Sequence, residues 1–315
     1  MAGRAAVTVR APAKVNLHLS VGVPDDEGYH PLATVFQAVG LYDEVTATRA
    51  PGGTFTVEVS GVDAARVPCD GTNLAVRAAR AVARTAGADD EPDLGVHLHV
   101  RKQIPVAGGM AGGSADAAAA LLACDALWGL DLPRAQLADL GAGLGSDVPF
   151  MLLGGTAVGL GRGDRLTPAL TRGGWSWVLL VSTSELSTPA VYAELDRLRA
   201  GRAVIEPRVS DPLMQALRSG DPAALGASLH NDLQVAAVSL LPELDQLLET
   251  VLDAAPMGAL VSGSGPTVAV LAEDDQHAAE LAVALGEAPG VARVLRATGP
   301  VPGCRLVDGG VRGAV

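Results

Sequence analysis

This chain has few aromatic residues, no long apolar run, no clustered cysteines and no excess of positive charge. No stretch reaches the roughly 18 consecutive apolar residues that a membrane-spanning helix needs. The first twenty residues carry Arg4, Arg10 and Lys14 where a secretory signal peptide has an uninterrupted apolar core. The sequence therefore predicts a cytoplasmic protein with no membrane partner.

The charge and the cysteines exclude further classes of protein. A formal net charge of −12 argues against a nucleic-acid partner, so an anion site would have to be local and built largely from backbone. Cys69, Cys124 and Cys304 are widely spaced and odd in number, which predicts neither a metal cluster nor a disulfide framework. The 315 residues, of which 49% are hydrophobic, suffice for about two domains.

A glycine-rich segment that runs into a helix is the most informative feature that is present. Residues 105–119 read PVAGGMAGGSADAAA, between a strand pattern over residues 94–101 and an alanine-rich helix pattern ending at Gly129. Glycines let the backbone curl around a ligand, and the free N–H groups of a first helical turn attract anions. The pattern predicts a phosphate cradle with Ser114 as the helix N-cap. A purely structural glycine turn is the alternative.

The loop fits neither of two common nucleotide-binding motifs. No Gly-Lys-Ser/Thr follows it, as in a P-loop, and its glycine spacing differs from that of a dinucleotide-binding fingerprint. Asp116 falls just inside the predicted helix, where its carboxylate would repel a phosphate unless a cation lay between them. A phosphate site here therefore requires a cation near Asp116.

Three further features carry polar chemistry. Lys14 and Asn16 share the polar face of an alternating strand pattern over residues 7–21, Asp147 lies in a glycine-flanked turn, and residues 262–266 read SGSGP. Taken singly, each has a structural explanation: a solvated lysine, an Asx-turn or helix cap, and a tight hairpin.

Taken together with the loop, these features fit a kinase. Phosphoryl transfer needs a cradle for the triphosphate, a cation and a group that orients or deprotonates the attacking hydroxyl. The loop supplies the cradle, Ser114 a hydroxyl for Mg²⁺ and Asp147 a carboxylate for the acceptor. Lys14 beside that carboxylate would keep it ionised and spread the developing charge.

The order of predicted elements describes an α+β protein of two domains. From Trp175 onward the patterns read β-α-β-β-α-β, which is typical of a ferredoxin-like fold. Glycines punctuate residues 161–174, and we place the domains at residues 1–165 and 166–300. A loose glycine-rich tail is predicted over residues 301–315.

Three ordered motifs resemble those of the GHMP kinase superfamily. They are PAKVNL at residues 12–17, the glycine loop at residues 105–119 and VSGSGP at residues 261–266, and the resemblance runs over about residues 7–271. It implies an N-terminal ribosomal-S5-like β/α domain and a C-terminal ferredoxin-like α/β domain. The implied activity is ATP-dependent phosphorylation of a CDP-bearing small molecule, with ATP as cosubstrate, Mg²⁺ as metal, and a monomer or weak homodimer.

The resemblance also implies roles for individual residues. Lys14 and Asp147 correspond to the catalytic pair, and Ser114 to a metal contact. The implied ATP-binding residues are Pro105, Val106, Ala107, Gly108, Gly109, Met110, Ala111, Gly112, Gly113, Ser114 and Ala115. The implied substrate-binding residues are Asn16, Tyr29, His30, Ser262, Gly263, Ser264 and Gly265. Within this set, Tyr29 and His30 fall where the family grips cytosine.

The chain departs from the family pattern at small residues of the loop. Alanines stand at positions 107 and 111 where members often have a triple glycine, and Ala115 replaces a second serine, which removes one hydroxyl contact. Two other functions remain open: a kinase for homoserine, mevalonate or a sugar, and a non-catalytic nucleotide or sugar sensor. The GYH segment at residues 28–30 disfavours the former, and the pairing of Lys14 with Asp147 disfavours the latter.

Overall fold

The computed structural model describes residues 5–86 and 94–307. Residues 1–4 of the predicted first domain and residues 308–315 of the predicted tail lie outside the described residues. Within the described ranges, no helix is long and apolar enough to cross a membrane.

An eight-stranded sheet is built around one long antiparallel pair, β1 (Ala6–Val21) and β2 (Leu32–Arg49). The other strands are β3 (Phe55–Gly61), β4 (Val96–Lys102), β5 (Thr156–Gly161), β6 (Arg165–Pro168), β8 (His230–Asn231) and β12 (Arg305–Leu306). The order is β12-β1-β2-β4-β3, with β5 paired to β2, β6 to β5 and β8 to β1. The strand predicted over residues 7–21 is thereby confirmed, and its apolar face is buried.

Four helices belong with this sheet: α1 (Leu74–Thr85), α2 (Gly112–Trp128), α3 (Arg134–Ala142) and α4 (Val148–Leu153). Helix α2 packs against β1 and β2 on one side and against α1 and α4 on others. Most of its buried side chains are alanines, so the sheet and the neighbouring helices can all pack close to its backbone. This close packing fixes the start of α2 against the middle of β1.

A second, four-stranded sheet has the order β11-β7-β10-β9, all antiparallel. Its strands are β7 (Trp175–Ser182), β9 (Gly258–Val261), β10 (Val268–Ala272) and β11 (Val291–Gly299). The accompanying helices are α5 (Thr188–Arg199), α6 (Asp211–Ser219), α7 (Pro222–Gly226), α8 (Gln234–Leu240), α9 (Glu243–Asp253) and α10 (Asp275–Ala284). The predicted ferredoxin-like second half of an α+β protein is confirmed.

The ends of the predicted domains need adjustment. Strand β6 crosses the boundary placed after residue 165 and still pairs with β5, so the first sheet continues to Pro168. The loose tail is wrong for residues 301–307. There the backbone N–H of Cys304 bonds to the carbonyl of Met151 at 2.8 Å, and β12 pairs with β1. Burial of Cys304 and the open edge of β1 outweigh the flexibility suggested by the glycines.

A buried cluster of three charges fastens the start of the glycine loop to the first sheet. Lys102, at the end of β4, donates from Nζ to Asp43 of β2 and, over 2.7 Å, to Asp116 of α2. Asp43 also accepts the backbone N–H groups of Gln103 and Ile104 at 2.6 and 2.9 Å. Although burial opposes the ammonium, Asp116 and Asp43 raise the pKa of Lys102. Lys102 is therefore the cation that Asp116 requires.

Replacing this lysine should destabilise the fold. Lys102→Met leaves two buried carboxylates without a counter-charge, so we expect the free energy of unfolding to fall by about 3–5 kcal/mol. Urea unfolding followed by circular dichroism measures this loss.

Arg101→Met is the matched control. Arg101 lies one position earlier on β4, but its guanidinium is exposed and pairs with Glu44 at 3.2 Å on the surface. Loss of such a pair costs at most about 1 kcal/mol. Equal losses in the two variants would contradict the role assigned to the buried cluster.

Candidate active site

A cleft of about 640 Å³ is lined by residues from the part of the chain that forms the first sheet and from the part that forms the second. Most of the predicted site residues line it: Lys14, Asn16, Pro105, Val106, Ala107, Gly108, Gly109, Ala111, Gly112, Gly113, Asp147, Gly263, Ser264 and Gly265. Six predicted residues lie outside that lining: Tyr29, His30, Met110, Ser114, Ala115 and Ser262. Of these, Met110 and Ala115 are fully buried in the core beneath the loop.

Lys14 contacts polar groups from three parts of the cleft. Its ammonium donates to the side-chain oxygen of Asn16 at 2.5 Å and to the backbone carbonyl of Gly109 at 2.8 Å. The same nitrogen lies 3.9 Å from Oδ2 of Asp147. The Lys14 side chain is only 5% exposed, so its ammonium is held by these contacts. The alternative explanation, a lysine solvated on a strand face, does not apply.

Asp147 lies at the N-terminus of α4, but its side chain makes no capping hydrogen bond. Capping was the structural explanation for this residue, and the geometry does not support it. The carboxylate is 29% exposed, so it can meet both Lys14 and a ligand in the cleft. Neighbouring Gly145 lies next to the first turn of α2, since a Cβ placed there would be in van der Waals contact, at 3.9 Å, with the hydroxyl of Ser114.

Burial controls the electrostatics of the pair. Desolvation lowers the pKa of Lys14, and the carboxylate of Asp147 partly offsets that effect. An anionic ligand in the cleft would act in the same direction as Asp147 and favour the charged ammonium.

The glycine loop is held by left-handed turns. Ala107, Gly109 and Ala111 have φ of 58°, 72° and 60°, so two alanines adopt a conformation that glycine takes more readily. At Gly109 no side chain fits, because a Cβ would lie 2.1 Å from the carbonyl oxygen of Ser262. The loop accommodates its two alanines because neither stands at this closest approach.

The helix after the loop begins earlier than predicted. Ala111, and not Ser114, is the N-cap residue, and Gly112 is the first residue of α2. The left-handed turn at Ala111 starts the helix, and the Ala111 carbonyl accepts the N–H of Ala115 at 2.9 Å. Among the described residues, no side chain or loop carbonyl accepts from the N–H groups of residues 112–114. These groups and the positive end of α2 remain available to an anion.

The SGSGP turn over residues 262–266 closes the cleft from the second sheet. Ser262 donates to the carbonyl of Gly109 at 3.3 Å, so the turn contacts the loop directly. Asn231 holds the turn by donating to the carbonyls of Val261 and Gly263 at 2.7 and 2.8 Å. A Cβ on Gly263 would lie 3.1 Å from the Lys14 ammonium, which places the turn against Lys14.

Tyr29 and His30 lie beside the cleft and not in its wall. Tyr29 is 45% exposed, and the guanidinium of Arg162 lies 4.1 Å from its ring centre. The His30 ring lies 5.0 Å from the ring of Tyr192, which does line the cleft. Burial raises the pKa of Tyr192, and the nearby charge of Asp147 adds to that rise. Tyr192 thus lies near both His30 and Asp147.

Sequence reasoning missed several residues of the cleft. Composition could have drawn attention to Tyr192, since the chain has only three tyrosines. Val67, Pro68 and Leu74 form an apolar wall on the far side of the loop, next to Asn73, the N-cap of α1. No local sequence pattern predicted this wall. Its apolar surface suits a flat, partly apolar ring such as a nucleoside base.

Known proteins share this architecture. The chain matches the GHMP kinases N terminal domain over residues 73–155 and the GHMP kinases C terminal domain over residues 213–291. It is 51% identical to 4-diphosphocytidyl-2-C-methyl-D-erythritol kinase of Clavibacter michiganensis subsp. michiganensis over 96% of this chain and 97% of the relative. The protein of the same name from Streptomyces avermitilis is 54% identical over 96% and 99% of the two chains.

A solved structure agrees with these relatives. A crystal structure of 4-(cytidine 5'-diphospho)-2C-methyl-D-erythritol kinase superposes with a TM-score of 0.74 at 33% identity, over 92% of this chain and 98% of that chain. The implied N-terminal and C-terminal GHMP kinase domains are thereby confirmed. The chain belongs to the GHMP kinase superfamily and, within it, to the family of 4-diphosphocytidyl-2-C-methyl-D-erythritol kinases.

Proposed function

We propose that the protein transfers the γ-phosphoryl group of ATP to the 2-hydroxyl of 4-diphosphocytidyl-2-C-methyl-D-erythritol. The products are ADP and the 2-phosphate, in the non-mevalonate route to isoprenoid precursors. One observation carries the proposal. The Lys14 ammonium contacts a carbonyl of the phosphate loop and lies 3.9 Å from Asp147, so the cradle and the carboxylate share one small volume.

The reaction follows from this arrangement. The acceptor oxygen attacks the γ-phosphorus while its proton passes to Oδ2 of Asp147. The new O–P bond forms as the bond between the γ-phosphorus and the β,γ-bridging oxygen breaks, and ADP leaves with that electron pair. The Lys14 ammonium stabilises the charge that builds up on the transferred group. Asn16 accepts from Lys14 and so holds the ammonium in place.

The residues beside the cradle fit a phosphate-bound magnesium ion. Among the described residues, no group of three or more His, Cys, Asp or Glu side chains is placed to hold a metal. Mg²⁺ commonly keeps its waters and binds through substrate phosphates with few protein ligands, which suits this site. Ser114 is the residue that would hold it, because its hydroxyl lies in the first turn of α2, beside the turn that carries Asp147. The ion would offset phosphate charge there.

Basic side chains in the cleft can offset part of the charge on the triphosphate of ATP and the diphosphate of the acceptor. Of Arg10, Arg101, Lys102 and Arg162, only Lys102 and Arg162 line the cleft. Arg10 instead stacks on Tyr42, and Arg101 pairs with Glu44 outside the lining. Lys102 is already paired with Asp43 and Asp116 under the loop, so it leaves no spare charge for ATP. Arg162, over Tyr29, is assigned to the acceptor side.

The setting of this activity is also part of the proposal. A cytoplasmic enzyme that acts as a monomer or weak homodimer agrees with its three free cysteines and its acidic surface charge. The acceptor binds with its cytosine on the side of Tyr29, His30 and Tyr192. ATP binds with its base against the apolar wall beside Asn73.

Removal of the carboxylate should stop turnover. We expect Asp147→Asn to lower kcat by about 10²–10⁴-fold, because the amide cannot accept the proton. ATP binding, measured by calorimetry, should be retained, since the loop amides are untouched. Asp139→Asn, at an exposed carboxylate on α3, is the control and should keep full kcat. Undiminished turnover in Asp147→Asn would remove Asp147 from this role.

The choice of acceptor tests the function itself. We expect phosphorylation of the CDP-bearing methylerythritol and no comparable rate with homoserine, mevalonate or simple sugars, because the Tyr192 and His30 side of the cleft would stay empty. A coupled ADP-release assay with each acceptor and Mg²⁺ measures this. A higher kcat/KM with one of the other acceptors would assign a different kinase activity. No turnover with any acceptor, despite ATP binding, would favour the sensor.

A further inference from the structure

One face of helix α5 makes the contacts that surround the acceptor side of the cleft. Thr188, Tyr192, Asp196 and Arg199 follow each other at spacings of four, four and three residues, which places them on one helical stripe. At one end, the hydroxyls of Thr188 and Ser264 are hydrogen-bonded at 2.8 Å. The stripe therefore runs from the SGSGP turn toward the loop that carries His30.

The other end of the stripe is braced by Arg199. Its guanidinium donates to the carbonyl of Val21 at 2.6 Å and pairs with Asp232 at 2.8 Å. Asp232 accepts the N–H of Val21 at 2.8 Å, so the last residue of β1 is held from both sides. Asp196 and Tyr192 lie between two fixed ends, and the position of α5 relative to the His30 loop does not depend on Asp196 alone.

Asp196 controls which nitrogen of His30 carries hydrogen. Nε2 of His30 lies 2.9 Å from Oδ1 of Asp196. An ionised carboxylate only accepts hydrogen bonds, so Nε2 must be the protonated nitrogen. In the neutral ring, Nδ1 then keeps its lone pair and is an acceptor. Within the described part of the chain, Nδ1 of His30 has no hydrogen-bond partner and is not sealed from solvent.

An acceptor at this position distinguishes two pyrimidines. Cytosine carries an amino group, a donor, where uracil carries a carbonyl oxygen, an acceptor. The His30 ring is 9% exposed and lies against Tyr192, the ring that lines the cleft. A base lying against Tyr192 would thus meet an imidazole whose free nitrogen suits cytosine and leaves uracil with two facing acceptors.

We propose that Asp196 is a specificity-determining residue: through its hydrogen bond it fixes the His30 tautomer that accepts from cytosine and disfavours uracil. Asp196 touches neither the substrate nor the reacting atoms, so it acts as a positioning residue. This inference rests on the proposed function, because it concerns the base of the same CDP-bearing acceptor.

The test compares the cytidine acceptor with its uridine analogue at pH 8. The wild type should prefer the cytidine acceptor in kcat/KM by at least about tenfold, because a mismatched buried polar pair costs that much. In Asp196→Ala this ratio should fall several-fold toward unity, mainly through a higher KM for the cytidine acceptor. Asp196→Asn should restore part of it, since the amide oxygen can accept from Nε2–H.

Arg199→Ala is the matched control, because Arg199 braces the same loop without touching His30. It should lower kcat/KM for both acceptors alike and leave the ratio unchanged. A purely structural Asp196 would behave in the same way, so an unchanged ratio in Asp196→Ala overturns the inference. A wild type that does not discriminate between the acceptors overturns it as well. A wild type that phosphorylates neither acceptor contradicts the proposed function instead.

A spectroscopic measurement removes any dependence on folding of the variants. Long-range ¹H–¹⁵N correlation spectra of the wild-type protein separate the two neutral tautomers of each histidine. The inference predicts that His30 carries its hydrogen on Nε2. A wild-type His30 with its hydrogen on Nδ1 overturns the inference, whatever the variants do.

Discussion

One carbonyl oxygen, that of Gly109, joins the three sequence motifs. It accepts from the Lys14 ammonium at 2.8 Å and from the Ser262 hydroxyl at 3.3 Å. These groups come from the first strand, the glycine loop and the turn of the second sheet, so their meeting requires the whole fold. Gly109 cannot be replaced by a larger residue without separating them, because the Ser262 carbonyl fills the space of a Cβ. The position of the glycine loop relative to Lys14 and the SGSGP turn depends on this contact.

An acidic protein binds two polyphosphates here by concentrating positive charge at a few points. The loop offers backbone N–H groups at the start of α2, which carry no net charge. Among the residues that the structure describes, Lys102 is the one counter-charge of the two carboxylates beneath the loop, and Lys14 is the counter-charge of Asp147. Both ammonium groups are buried, so their interactions are little screened by salt.

Local patterns predicted the parts of the site that lie within single elements. Alternation along β1 placed Lys14 beside Asn16, and the glycine-rich segment located the turn that leads into α2. Residue order alone could not predict the salt bridge between Lys102 and Asp116. It joins the end of β4 to helix α2, and the distance between their side chains depends on how the two elements pack. It equally could not predict Tyr192 and Asp196, which meet His30 across more than 150 residues. The Ser114 cap was wrong because the left-handed turn at Ala111 starts the helix first.

The most direct measurement is a crystal structure with the CDP-bearing acceptor and a non-hydrolysable ATP analogue bound together. The account predicts the γ-phosphate at the N–H groups of residues 112–114. The acceptor 2-hydroxyl should lie within about 2.6–3.2 Å of Asp147, the range of a hydrogen bond. A triphosphate bound away from the start of α2, or a hydroxyl out of reach of Asp147, would contradict it.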